Sequence, residues 1–308
     1  MTLNRRTFLK DAAFLVAGMG LNVGWTPRFA EALELLATGR APLLWLQGLS
    51  CSGCSVSLIN SEAPGPAALM TRYLSLYFHQ TLSAATGESA VDAVNRAIES
   101  GDYLLAVEGA VPVGMPAACR IGHEPYSDLL LRAARRAKAV LAVGTCASFG
   151  GIPAAPPSPT GSIGSDVFLR QQGVETACVN LPGCPAHPAW VVASIVHLLK
   201  KGIPTLDEHR RPLQIYGKLL HDQCQNFALY QKKEFSTRQG EAGCLFKLGC
   251  QGVITHADCP MRGWNGGSSW CVKVNAPCVG CTRPEFSRDP GYAFYRLNEQ
   301  GNEGGADA

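Results

Sequence analysis

The chain has 308 residues, 46% hydrophobic and 17% charged, enough for a sizeable core in one large domain or two smaller ones. Its net charge is +3, and residues 1–32 carry much of it, with Arg5, Arg6, Lys10 and Arg28 set against Asp11 and Glu31. The remainder is nearly neutral and has no basic stripe of the kind nucleic acid requires.

"NRRTFLK" (4–10) leads into "DAAFLVAGMGLNVGW" and then "TPRFAEA". Paired arginines, a short apolar run and small residues near 30–32 make a signal peptide over 1–32, with cleavage near Ala30 or Ala32. The run is too short and too rich in glycine to span a bilayer. Arg5 and Arg6 before Phe8-Leu9-Lys10 resemble the twin-arginine signal, whose pathway exports folded proteins. A periplasmic protein loaded with its cofactors before export is therefore expected. No later run of 18 apolar residues occurs, and 291–308 reads as a polar tail, so no intrinsic membrane anchor is expected.

"PLLWLQG" (42–48), "YLSLYFH" (73–79), "YLLAVEG" (103–109), "AVLAVGT" (139–145) and "TACVNLPG" (176–183) read as short buried strands. Helical stretches at 90–100, 124–138 and 188–201 alternate with them. This alternation predicts a parallel α/β sheet covered on both faces, with ligands beyond the carboxyl ends of its strands.

Cysteine fills those places. Of 13 cysteines, Cys51 and Cys54 follow the first strand as "CSGC", Cys146 the fourth in "GTCASFGG", and Cys184 the fifth in "PGCPAHP". Glu108 ends the third strand in "EGAVP". Four thiols on one sheet edge can hold one metal centre, and spacing alone does not separate zinc from an iron–sulfur cluster. Disulfides fit poorly, because the chain has ample core and an odd cysteine count.

These four motifs, in this order, resemble the small subunit of nickel–iron hydrogenases. Related cluster motifs occur in respiratory complex I and coenzyme-reducing hydrogenases. The resemblance implies a flavodoxin-like domain over 40–209, with Cys51, Cys54, Cys146 and Cys184 holding a proximal [4Fe-4S] cluster near Glu108. Oxygen-tolerant relatives carry two further cysteines where this chain has Gly53 and Gly151, so an ordinary proximal cluster is expected.

Beyond residue 210 the alternation stops, and inorganic cofactors are expected to organise the chain over 210–290. "HDQC" and "CLFKLGC" supply His221, Cys224, Cys244 and Cys250, a composition that also suits zinc. By resemblance the four hold the distal [4Fe-4S] cluster. Cys259, Cys271, Cys278 and Cys281 form the third set. Many relatives have proline at the place of Cys271 and a medial [3Fe-4S] cluster. A fourth thiolate here implies a medial [4Fe-4S] cluster, with [3Fe-4S] the alternative if Cys271 is a bystander. Cys178 reads as core, and Cys119 has no assigned role. His187, beside Cys184, reads as a surface or core residue.

The resemblance implies a heterodimer with a nickel–iron large subunit whose paired CxxC motifs this chain lacks, so no catalytic residue is expected here. It also implies an electron path from proximal to medial to distal cluster and a c-type cytochrome as acceptor. The polar C-terminus favours a soluble acceptor over direct quinone reduction, although a separate membrane subunit could supply the same link. The alternatives are an electron-transfer subunit of a complex I-like or coenzyme-reducing enzyme, and a zinc-binding secreted protein.

Overall fold

A computed structural model describes residues 41–288, so the expected signal peptide and polar tail lie outside the described residues. The chain divides between Ile215 and Tyr216 into two compact units.

The first unit is built on a five-stranded parallel sheet. Its strands are β1 (Ala41–Gln47), β2 (Leu74–His79), β3 (Leu104–Glu108), β4 (Ala139–Val143) and β5 (Cys178–Leu181). Spatial order is β2-β1-β3-β4-β5, and every pairing is parallel. That is the flavodoxin order, whose topological switch lies between β1 and β3. Leu43 to Leu46 and the whole of β3 are buried, as strands covered on both faces must be. Edge strand β2 is only partly buried.

The main helices packed around the sheet are α1 (Gly53–Ile59), α2 (Gly87–Ser100), α3 (Tyr126–Arg136), α4 (Gly144–Phe149), α5 (Ser165–Gln171) and α6 (Pro188–Lys201). Helices α2 and α3 are amphipathic and bury Val94, Ile98, Leu129 and Leu130 against Leu105 and Val107 of β3. Each such side chain contributes about 1.5–3 kcal/mol when fully buried. Helix α1 packs on α6.

All five expected strands and all three expected helices are present. Helices α1, α4 and α5, which no sequence pattern announces, are only six or seven residues long. Helices that short show too little of the 3.6-residue period to stand out.

The second unit has no strand of more than one bridge among its described residues. It consists of single turns such as His221–Gln223, Leu245–Leu248 and Gln251–Ile254, with short helices at Phe227–Gln231 and Cys259–Arg262. Isolated bridges such as Leu219 with His256 tie the turns together. The irregular C-terminal region expected from the sequence is what is observed.

Candidate metal centres

The first set of thiols lies at the carboxyl edge of the parallel sheet. Cys51 follows β1, and Cys54 sits in the first turn of α1. Cys146 lies in α4 directly after β4, and Cys184 follows β5. Backbone and side-chain bonds lock these loops together. Thr145 N–H donates to Gly183 O at 3.0 Å, and Gly183 N–H donates to Thr145 Oγ1 at 2.8 Å. Ser57 Oγ donates to Ala186 O at 2.7 Å, and Ala186 N–H reaches Cys54 Sγ at 3.5 Å.

These four positions are mutual neighbours. Burial pushes the Cys54 thiol well above its ordinary value, with Glu108, Cys146 and Cys184 adding to the rise. Burial likewise pushes Cys146 up to about 12, with Cys184 and Cys51 contributing. Cys184 rises through burial and then Cys51. Such a set resists carrying several thiolates unless a cation neutralises them, which is the chemistry of a cluster site. The glycines make room for it. A Cβ at Gly144 would run into Cys54 Sγ, and one at Gly151 would lie 2.8 Å from Cys146 Sγ. Gly151 also has φ +51° with an extended ψ, a conformation essentially confined to glycine.

Glu108 is buried beside this set. Its Oε1 accepts from Cys54 N–H at 3.0 Å, and its Oε2 accepts from Trp45 Nε1 at 3.2 Å, Gln47 Nε2 at 3.1 Å and Ser55 Oγ. His79 bonds to Ser55 Oγ at 3.1 Å and stacks on Trp45 with ring centroids 5.1 Å apart. Sequence reasoning does not single out Trp45, Gln47, Ser55 or His79. They are drawn from β1, α1 and β2, and no local spacing announces them.

His187 is buried, in keeping with a core reading, and it caps α6, with Nδ1 accepting from Ala189 N–H at 3.1 Å. Cys178 is in the core, and Cys119 packs partly buried against that core.

The second unit brings together the other two sets. His221, Cys224, Cys244 and Cys250 line one pocket, together with Leu220 and Gly252. His221 Nε2 is buried and has no hydrogen-bond partner. Burial lowers the basicity of this imidazole, against an opposing pull from Asp222. A neutral imidazole with an orphaned ring nitrogen in a pocket shared with three thiols fits a metal ligand. Phe227 and Tyr230 hold the ring edge-on, at centroid distances of 5.2 and 4.4 Å. Asn226 N–H donates to Cys224 Sγ at 3.4 Å.

Cys259, Cys271, Cys278 and Cys281 also gather. Burial drives Cys259 well up, followed by Cys281, Asp258, Cys278 and Cys271. Cys278 rises through burial and then Cys281 and Cys250, with Cys271 a further contributor. Cys271 is near enough to Cys259, Cys278 and Cys250 to contribute to the rise of each. Gly280 N–H donates to Cys278 Sγ at 3.4 Å, and Cys278 N–H donates to Cys250 Sγ at 3.3 Å, so the two sets adjoin. Among the described residues no three His, Cys, Asp or Glu converge on a single-ion position. No helix among them is long and apolar enough to cross a membrane.

Residues 216–294 match the family model for the C-terminal part of the NiFe/NiFeSe hydrogenase small subunit. Residues 51–198 match that of the NADH ubiquinone oxidoreductase 20 kDa subunit. The periplasmic [NiFeSe] hydrogenase small subunit of Desulfomicrobium baculatum is 38% identical over 306 residues, covering 93% of this chain and 96% of the relative. The periplasmic [NiFe] hydrogenase small subunit of Solidesulfovibrio fructosivorans is 38% identical over 296 residues, covering 92% and 90%. The solved [NiFeSe] hydrogenase of Desulfovibrio vulgaris Hildenborough superposes with a TM-score of 0.79 at 40% identity, covering 83% of this chain and 99% of that one. Sequence and fold together place the chain in the family of nickel–iron and nickel–iron–selenium hydrogenase small subunits.

Proposed function

We propose that this chain is the electron-transfer subunit of a periplasmic hydrogenase heterodimer, carrying [4Fe-4S] clusters at each of its three ligand sets. Cys51, Cys54, Cys146 and Cys184 would hold the proximal one, His221, Cys224, Cys244 and Cys250 the distal one, and Cys259, Cys271, Cys278 and Cys281 the medial one. Such clusters, when bound, take up and release single electrons at low potential. A nickel–iron large subunit would supply the chemistry on H2, and a c-type cytochrome is the acceptor that suits a periplasmic enzyme. Export by the twin-arginine route would carry the loaded heterodimer across the membrane.

The residues present divide the work. Thiols and His221 bind, and the amides of Asn226, Cys278, Gly280 and Ala186 donate to ligand sulfurs, a contact that tunes potential. Val56 and Ile59 of α1 and Ile152 beyond α4 are exposed apolar residues flanking the proximal ligands. They suit a large-subunit interface that excludes water from the first transfer.

The observation that carries the reading is the Cys278 N–H bond to Cys250 Sγ at 3.3 Å. It puts a ligand candidate of one set directly against a ligand candidate of the next, the close spacing on which an electron relay depends. The test is metal analysis and low-temperature EPR of the purified heterodimer. About 12 irons in the small subunit, as three clusters of four, are expected. Zinc in place of iron would overturn the reading.

A further inference from the structure

Glu108 is 2% exposed, and its four hydrogen-bonding partners are all neutral. The surrounding bonds fix one another's direction. Thr81 N–H donates to His79 Nδ1 at 3.1 Å, so the His79 proton is on Nε2 and is donated to Ser55 Oγ. Thr81 Oγ1 donates to Gln47 Oε1 at 3.0 Å, and Gln47 Nε2 faces three oxygens, Ser55 Oγ at 2.9 Å, Glu108 Oε2 at 3.1 Å and Ser52 Oγ at 3.3 Å, an arrangement in which the amide nitrogen donates to Ser55. Both lone pairs of the Ser55 hydroxyl are then taken, and its one proton goes to Glu108. Trp45 Nε1–H and the Cys54 amide can only donate. All four contacts are donations to Glu108, the pattern of an ionised carboxylate.

We propose that Glu108 is a fixed anion that lowers the reduction potential of the centre at Cys51, Cys54, Cys146 and Cys184. This rests on the proximal-cluster reading above. Reduction adds negative charge beside Cys54, whose amide Glu108 binds, and a carboxylate in a poorly solvated site opposes that charge. The neutral donors on Oε2 partly compensate its field. His79, fully buried and stacked on Trp45, keeps the Ser55 proton turned toward the carboxylate.

The sign of the effect separates this role from packing. Glu108→Gln removes the charge, so the proximal centre becomes easier to reduce. Trp45→Phe keeps the charge and removes one donor, so the centre becomes harder to reduce. The experiment is an EPR-monitored redox titration of the intact heterodimer, with iron counted for each variant. Glu108→Gln is expected to shift the oxidised-to-reduced ratio about tenfold toward reduced, equal to about 59 mV for one electron. Trp45→Phe should shift it about threefold the other way, the scale of one neutral hydrogen bond.

An unmoved potential in Glu108→Gln at full iron content, or both variants moving in one direction, overturns the proposal. If Glu108→Gln does not load its cluster, the sign in Trp45→Phe decides alone: a fall supports the proposal, and no change or a rise refutes it. Wild-type enzyme with no proximal signal in any redox state would instead sink the cluster reading itself.

Discussion

His221 offers a direct test of the distal set, because its structural and ligand roles respond differently to substitution. The ring makes edge contacts with Phe227 and Tyr230, each worth about 0.5–1.5 kcal/mol. Its buried Nε2 has no partner within the chain, and an unsatisfied buried group costs about 1–3 kcal/mol. His221→Leu keeps most of the volume and removes the orphaned nitrogen, so the two packing effects roughly offset. What remains is loss of a ligand. His221→Leu should lose the distal cluster, taking iron from about 12 to about 8 per small subunit. His221→Cys restores a ligand and should retain about 12 irons, but at a lower distal potential, since thiolate adds negative charge where imidazole is neutral. Iron analysis and EPR-monitored titration of the heterodimer read both. A His221→Leu enzyme with full iron and an unchanged distal signal would refute the assignment.

Cys271→Ala should lose about one iron and gain a three-iron EPR signal in the oxidised sample, while Cys119→Ala should do neither. Gly151→Ala forces a side chain into a positive-φ, extended-ψ conformation essentially confined to glycine, at a cost of about 1–3 kcal/mol, and against Cys146. Lower thermal stability and reduced iron loading are expected, read by melting and metal analysis. Burial lowers the His79 pKa from 6.5 to about 4, with Glu108 pulling the other way. The unfolded chain therefore binds the extra proton first, so this stability is complete above about pH 6.5 and is lost as pH falls toward 4. The loss approaches about 3 kcal/mol, and denaturation at pH 7, 5 and 4 should show a flatter dependence for His79→Leu.

Candidate ligand residues were legible in the sequence where chain order and chemistry coincide. Cys51, Cys146 and Cys184 each follow a strand, and parallel strands deliver their carboxyl ends to one edge, so their convergence follows from chain order alone. Glu108 was visible for the same reason, as the last residue of β3. Its partners were not. His79 is 24 residues from Ser55, and Trp45 is 63 from Glu108, on elements whose contact depends on strand order. A periodic pattern reports which face of a strand is buried, not which polar group it meets there. The role of His187 is hidden for a local reason: an Nδ1 that caps its own helix cannot be told from a solvent-facing ring without the backbone angle that precedes Pro188.

The two units also make their sites in different ways, and this bears on how they should respond to losing metal. In the first, the sheet, α1 and α6 bury Leu43 to Leu46 and the whole of β3, so the candidate proximal thiols hang from a scaffold with its own core. In the second, eight ligand candidates share a stretch of isolated bridges and single turns, whose cohesion runs through contacts such as Cys278 N–H to Cys250 Sγ. On the cluster proposal, a segment with so little hydrogen-bonded regularity would draw much of its folding free energy from metal–ligand bonds, as small metal domains do. Chelation or oxidative loss of clusters should therefore open residues 216–288 to protease while the β1–β5 sheet stays protected. Limited proteolysis with mass-spectrometric mapping after iron removal would show it, and uniform cleavage across both units would contradict it.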